Sequence, residues 1–152
     1  MKYKGSRCEI AEERDAELLR AYKSIIEVRD KISLSEVVHT LAQTSCSRFF
    51  VSEERAYNVI CNMLRNTSSI SHMIPLRKEM YQEIFHRFVQ YQEEHPSLTR
   101  KECVWRVCHQ PAPKFYLTPK SIVTILHRVR KEAKKRCYEQ RKRKLRFMLG
   151  TL

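Results

Sequence analysis

Apolar residues recur at intervals of three and four along the first third of the chain. Such spacing places them on one face of an α-helix, because the helix has about 3.6 residues per turn. Charged and polar residues between them occupy the opposite face. The pattern predicts a first helix over about residues 14–30, with an apolar face formed by Leu18, Leu19, Tyr22, Ile25 and Ile26.

Two capping boxes predict the starts of further helices. Ser33-x-x-Glu36 and Thr99-x-x-Glu102 place a hydroxyl three residues before a glutamate, so that each side chain can bond the other residue's backbone N–H. Ser52 and Thr118 predict two more helix starts, and Pro119 suits a first turn, where its missing N–H has no intrahelical partner. With only 2 Gly and 5 Pro in 152 residues, the chain is predicted to be all-α.

The start signals repeat at a single offset of 66 residues. At that offset, residues 48–52 (Arg-Phe-Phe-Val-Ser) align with residues 114–118 (Lys-Phe-Tyr-Leu-Thr), and each position keeps its chemical class. Tyr22 aligns with Phe88 at the same offset. Repeats at a fixed period usually indicate repeated structural units. The sequence therefore predicts two tandem tri-helical units related by an internal repeat.

The aromatic pairs Phe49-Phe50 and Phe115-Tyr116 precede the predicted third helix of each unit. They are predicted to anchor these segments in the core. The alternative is an exposed position in which the rings stack on nucleic-acid bases.

A linker rich in Ser and Asn separates the two units, with Ile70, Met73 and Ile74 available to dock it between them. After the second unit no stop signal precedes Gly150, so the last helix either continues to about Phe147 or frays into a tail. The predicted organisation is an N-terminal segment (1–13), a first tri-helical unit (14–65), a linker (66–77), a second tri-helical unit (78–131) and a basic C-terminal helical extension (132–152).

The formal net charge of +13 is concentrated in the second half of the chain. Residues 1–76 hold 11 Lys or Arg and 10 Asp or Glu, whereas residues 77–152 hold 19 and 7. Between Arg128 and Arg146 there are 11 basic and two acidic residues. Such clusters bind phosphate backbones through charge neutralisation and counterion release. The charge predicts a polyanion partner, and the alternative is a merely solvated surface.

Three short helices with a capped third helix resemble the helix-turn-helix class in its homeodomain-like or Myb-like tandem form. The resemblance implies DNA binding, with the third helix of the second unit in the major groove and flanking cations on phosphates. It implies no particular process. The predicted DNA-binding residues, which include the basic extension, are Lys114, Lys120, Ser121, Thr124, His127, Arg128, Lys131, Lys134, Lys135, Arg136, Arg141, Lys142, Arg143 and Lys144.

The first unit is less suited to this role. Its third helix opens with Glu53-Glu54, whose carboxylates would repel phosphate but would stabilise the N-terminus of a helix. We expect this unit to contact a protein partner, or to assist DNA binding only through Arg55, Asn58 and Asn62.

The sequence offers little for metal or catalytic chemistry. Cys103 and Cys108 lie five positions apart on a predicted helix, so their directions differ by about 140°, and they align with the apolar residues Val37 and Ala42; they are expected to fill core positions and not to bind zinc. Two glycines cannot build a phosphate-binding loop, and Asp15 and Asp30 are the only aspartates. We therefore expect no metal, no cofactor and no enzymatic activity.

Localisation follows from what the chain lacks. The charged N-terminus has no signal-peptide pattern, and no apolar run is long enough for a membrane span, so the expectation is a cytoplasmic protein with reduced cysteines, nucleoid-associated if bacterial. The favoured function is non-enzymatic DNA binding, with transcription regulation or a mobile-element or phage role as its setting and DNA favoured over RNA. The alternative is a protein-interaction adaptor, or an RNA- or ribosome-associated protein, whose basic tail binds polyanions.

Overall fold

The computed structural model describes residues 6–150, which form six α-helices and one 3-10 turn. These residues contain no β-strand, which confirms the all-α prediction. The elements are α1 (Ser6–Val28), α2 (Leu34–Ala42), α3 (Glu53–Arg65), the turn Thr67–Ile70, α4 (Pro75–Glu94), α5 (Arg100–Cys108) and α6 (Pro119–Gly150).

The helix starts follow the predicted caps. In α2 the Glu36 N–H donates to Ser33 Oγ at 3.3 Å and the Ser33 N–H donates to Glu36 Oε2 at 3.2 Å. In α5, Thr99 and Glu102 form the same reciprocal pair, at 3.3 and 2.9 Å. These side chains satisfy backbone N–H groups that have no partner within the helix. Both capping boxes are therefore confirmed.

Two helices begin earlier than predicted. α1 starts at Ser6 rather than near residue 14, because Ile10 and Ala11 extend its half-buried face by about two turns. α4 starts at Pro75, inside the predicted linker, since proline is tolerated in a first helical turn. The 3-10 turn also lies in that linker. Of the three linker residues predicted to dock between the units, Ile70 is buried, Met73 is partly buried and Ile74 is exposed.

The third helix of each half packs against the other half of the chain. α3 contacts α4 and α5, whereas α6 contacts α1 and α2. Two three-helix groups result, α1–α2–α6 and α4–α5–α3. These contacts cross the boundary predicted between residues 14–65 and 78–131.

The two segments that enter α3 and α6 meet at the centre of the molecule. Cys46 and Ala112 form an antiparallel bridge, with both N–H···O distances at 3.0 Å. Beside it Phe49 stacks on Tyr116 at 6.1 Å between ring centroids, and Phe50 stacks on Phe115 at 6.0 Å.

These rings belong to the core. Phe49 and Phe115 are buried, while Phe50 and Tyr116 are half-buried against the core. Tyr116 also has a φ of 56°, a left-handed conformation that is unusual for a bulky residue and that the stack holds in place. The prediction that the aromatic pairs anchor the core is confirmed.

Candidate nucleic-acid interface

Helix α6 has a packed first third and an exposed remainder. Ile122, Ile125 and Leu126 are buried against α1 and α2. From Arg130 to Gly150 every residue is exposed. The helix is about 48 Å long at 1.5 Å per residue, and its last 30 Å or so extends beyond the packed core. The extension is helical, as in the first of the two predicted alternatives.

The start of α6 is fixed by a hydroxyl cap. The Ser121 N–H donates to Thr118 Oγ1 at 3.2 Å, and the Thr118 hydroxyl donates to Ser121 Oγ at 2.9 Å. Ser121 is therefore half-buried and engaged in the cap. On the following turn the Thr124 hydroxyl donates to the Lys120 carbonyl at 3.0 Å.

Six of the predicted cations lie on one side of α6. At about 100° per residue, they fall within a strip about 120° wide, centred about 170° from the buried isoleucines and leucine. The strip has no acidic member, since Glu132 and Glu139 lie about 100–120° from its centre. We call this strip the outer face; it comprises Lys120, Thr124, His127, Lys131, Lys134, Lys135, Tyr138, Arg141 and Lys142.

Two predicted contact residues are instead bound to carboxylates. Lys114 Nζ lies 2.6 Å from Glu79 Oε1, and its side chain is 19% exposed. The ammonium also lies 5.6 Å from the centroid of the Tyr116 ring. Arg128 is paired with Asp15 of α1. The structure therefore engages both residues within the protein: Lys114 joins the segment before α6 to α4, and Arg128 joins α6 to α1.

Asp15 is the one buried acidic residue among those that the structure describes, and it links α1 to α6. Arg14 donates to its Oδ1 from Nε at 3.0 Å and from Nη2 at 2.9 Å, while Arg128 binds Oδ2. About two turns further along α1, the Tyr22 ring centroid lies 5.6 Å from the guanidinium carbon of Arg130. A buried carboxylate is tolerable only when it is paired in this way. This cluster positions the packed part of α6 against α1.

The remaining predicted residues lie on other sides of the helix. Arg136 is 3.9 Å from Glu132, one turn away on the same side. Arg143 and Lys144 point about 120–140° away from the centre of the outer face. They are exposed cations outside the outer face.

The first turn of α3 is engaged in contacts within the protein. Glu53 Oε1 lies 2.8 Å from His109 Nε2 at the end of α5 and 3.2 Å from Arg48 Nη2. Burial raises the pKa of Glu53, but its own backbone N–H and the bonds from His109 and Arg48 outweigh this and hold the pKa below its ordinary value. Glu53 thus connects α3 to α5, beyond the simple helix stabilisation that the sequence indicated.

The buried cysteines lie in the apolar core. Burial raises the pKa of Cys46 and of Cys108 to about 12, so both thiols stay protonated. Within residues 6–150 no three His, Cys, Asp or Glu side chains are grouped as metal ligands. Among the same residues, no helix combines the length and apolarity needed to cross a membrane.

Comparison with known proteins gives no relative for this arrangement. No protein-family model, curated protein or solved structure matches the chain. Any functional assignment therefore depends on the geometry and charge described above.

Proposed function

We propose that this chain is a non-enzymatic, regulatory DNA-binding protein that places the outer face of α6 against the duplex. One observation supports the proposal above all others: an acid-free strip of six cations along one continuous helix. From Lys120 to Lys142 the strip is about 33 Å long. That length is close to one turn of B-DNA, about 34–36 Å.

The strip divides naturally into two parts. A straight helix can remain in the major groove for only part of a turn, because the groove curves away around the duplex. Lys120, Thr124 and His127 lie on the first two turns, where α6 is held rigidly by the core, and are suited to base edges. Lys131 and the later cations lie on the extension and are suited to phosphates.

We further infer that the two halves are copies of one tri-helical unit, related to helix-turn-helix units, that have exchanged their third helices. The helix bounds support this, because α2 and α5 begin and end 66 residues apart, as do the starts of α3 and α6. The bridge supports it too, since Cys46 and Ala112 are separated by the same offset. So does the reciprocal stacking of the aromatic pairs described above.

Salt dependence of duplex binding tests the outer face. The variant Lys131→Gln/Lys134→Gln/Lys142→Gln removes three of its charges. The matched control, Arg136→Gln/Arg143→Gln/Arg146→Gln, removes three charges from other sides of the same segment. Each lost phosphate contact should reduce the slope of log K against log salt by about 0.9, so the outer-face variant should lose about 2.7. The control should lose less than about 1.

Fluorescence anisotropy with a random-sequence duplex between about 50 and 200 mM salt measures these slopes. Circular dichroism of each variant checks that α6 keeps its helix. Equal slope losses in the two variants would contradict the outer face, because they would mean that the tail binds only through its total charge. A preference for structured RNA over the duplex would shift the proposal to RNA.

Base reading by the first turns of α6 needs a separate test. Lys120→Ala/Thr124→Ala should lower affinity for a selected site more than affinity for random duplex. Each lost base contact is expected to reduce discrimination by about 1–3 kcal/mol. Selection from a randomised pool, followed by sequencing, supplies the site. Equal losses on all sequences would exclude base reading and leave phosphate binding.

A protein-interaction adaptor is a second candidate, favoured by large apolar side chains at the end of α6. Leu145 and Leu149 are 59% and 68% exposed and continue the outer face beyond Lys142. The variant Leu145→Ser/Leu149→Ser distinguishes the candidates. An adaptor that docks a protein partner on these two side chains loses partner binding, whereas the DNA-binding protein keeps its duplex affinity and its salt slope.

A further inference from the structure

A cleft of about 610 Å³ opens between α1, α4 and the first turn of α3, and none of its lining residues belongs to α6. Three arginines from three helices line it: Arg14, Arg55 and Arg77. Its lining contains no Asp or Glu among the described residues. The cleft is therefore a concave, positively charged surface separate from the outer face.

The arginines share the cleft with a buried tyrosine. Tyr81 lines the cleft and is only 2% exposed. Burial raises the pKa of Tyr81, and the positive charges of Arg55 and Arg77 partly offset that rise. Arg55 and Arg77 line the same cleft as this phenol. Arg14, from α1, also lines the cleft, and its two bonds to Asp15 restrict the orientation of its guanidinium group.

The charges of Arg55 and Arg77 are not balanced locally. Within residues 6–150 no carboxylate oxygen lies within 4.0 Å of either guanidinium, in contrast to Arg14, Arg48 and Arg87. Like charges gathered in one cleft repel each other, and an anion bound between them removes that repulsion. Planar guanidinium groups match phosphate oxygens in geometry and form strong charge-assisted bonds.

Part of the cleft wall is apolar. Phe50, Met80 and Ile10 line it beside the arginines. The volume falls in the range of about 300–1,000 Å³ that is typical of small-ligand sites. A ligand that matches both the arginines and the apolar side chains would carry a phosphate group on a flat ring system, and the whole would be about the size of a nucleotide.

We propose that this cleft binds a nucleoside phosphate, with the phosphate on Arg14, Arg55 and Arg77 and the base against Phe50 and Met80. The same chemistry can come from a free nucleotide or from the 5′-phosphorylated end of a strand. The site does not depend on the proposed function of α6, because none of its residues lies on that helix.

Isothermal titration calorimetry tests the proposal, with adenosine 5′-monophosphate or adenosine titrated into the full chain. The intact protein should bind the nucleotide at least ten-fold more tightly than the nucleoside. Arg55→Gln/Arg77→Gln should weaken nucleotide binding at least ten-fold, since each arginine supplies a charge-assisted bond. The control Arg65→Gln/Lys78→Gln removes the same charge from α3 and α4 outside the cleft lining and should change affinity less than two-fold.

Two oligonucleotides, identical except for a 5′-phosphate or a 5′-hydroxyl, distinguish the sources of the ligand. A preference for the phosphorylated strand over adenosine 5′-monophosphate assigns the site to strand ends, and the reverse preference assigns it to free nucleotides. Equal affinity for nucleotide and nucleoside, an equal loss in the control variant, or no nucleotide binding at millimolar concentration would each overturn the proposal. Duplex binding by Arg55→Gln/Arg77→Gln should keep its salt slope, so the cleft can fail without affecting the outer face.

Discussion

Cutting the chain between Ser71 and His72 should leave two fragments that cannot fold separately as monomers. The cut lies after the 3-10 turn, so residues 1–71 keep α1, α2 and α3, and residues 72–152 keep α4, α5 and α6. Because α3 packs on α4 and α5, and α6 on α1 and α2, each fragment lacks the surface on which its third helix lies.

The magnitude follows from the buried residues of the third helices. Val59, Ile60 and Met63 of α3 are at most 5% exposed. Removing their cover costs about 1.5–3 kcal/mol each, or about 5–9 kcal/mol in total. A natural domain has only about 5–15 kcal/mol of stability. The first fragment alone should therefore be largely unfolded as a monomer, and the buried residues of α6 predict the same for the second.

Circular dichroism at 222 nm and sedimentation velocity measure the outcome. Each fragment should show little cooperative melting, and equimolar mixing should restore helix content in a one-to-one complex. A folded homodimer of either fragment also agrees with the exchange, because a second copy can supply the missing surface. The control is a six-residue Gly-Ser insertion at the same point in the intact chain, which should cost less than about 1 kcal/mol. A fragment that melts cooperatively as a monomer and gains nothing on mixing would refute the reasoning.

Three further predictions concern individual side chains. Asp15→Asn should lower the free energy of unfolding, measured by urea denaturation, by about 1–2 kcal/mol. The loss should be smaller than for a fully buried ion pair, because Arg128 is 53% exposed. If the effects of Asp15→Asn and Arg128→Gln simply add in a double-mutant cycle, the pairing is contradicted. Because the pKa of Glu53 is lowered in the folded state, its carboxylate stabilises the fold above its ordinary pKa of 4.5, and this stability is lost as the pH falls through the folded-state pKa. Glu53→Gln should therefore flatten the acidic part of a plot of the free energy of unfolding against pH. An unchanged acidic part would contradict this. Exposed Cys137 should react with a thiol reagent at pH 8 far faster than buried Cys46 or Cys108, because burial raises the pKa of those two thiols to about 12. Mass spectrometry measures the extent of reaction at each cysteine. Similar rates at all three would mean that the core opens readily.

Local capping signals predicted where α2, α3, α5 and α6 begin, but not which helices pack together. A capping box such as Ser33-x-x-Glu36 acts over four residues, and so its geometry is independent of the rest of the fold. The packing of α3 on α4 and α5, and of α6 on α1 and α2, depends on contacts between residues far apart in the chain, such as Glu53 with His109 and Asp15 with Arg128. Nothing in the spacing of Val59 and Ile60 distinguishes a surface on α2 from one on α5, since both are apolar.

The same limit applies to the candidate site. The number of cations after Lys114 could be counted from the sequence, but their partners could not. Arg128 is bound by Asp15, 113 residues earlier, and Lys114 by Glu79, and neither pairing has a local signal. The arginine cleft was missed for that reason too, because Arg14 and Arg77 come from helices that only the fold brings together.

The exposed part of α6 has a thermodynamic consequence. Between Lys131 and Arg146 every residue of α6 is exposed, so its helix there is supported mainly by its own hydrogen bonds, and an isolated helix of this length is only marginally stable in water. Cations one turn apart, such as Lys131 and Lys135, or Lys142 and Arg146, further oppose it by mutual repulsion. A polyanion that neutralises these charges would supply the missing stability, so binding and helix formation in this segment are coupled. Hydrogen exchange in the segment should therefore be fast in the unbound protein and slow in the complex, and part of the interaction energy should be consumed by the ordering of the segment.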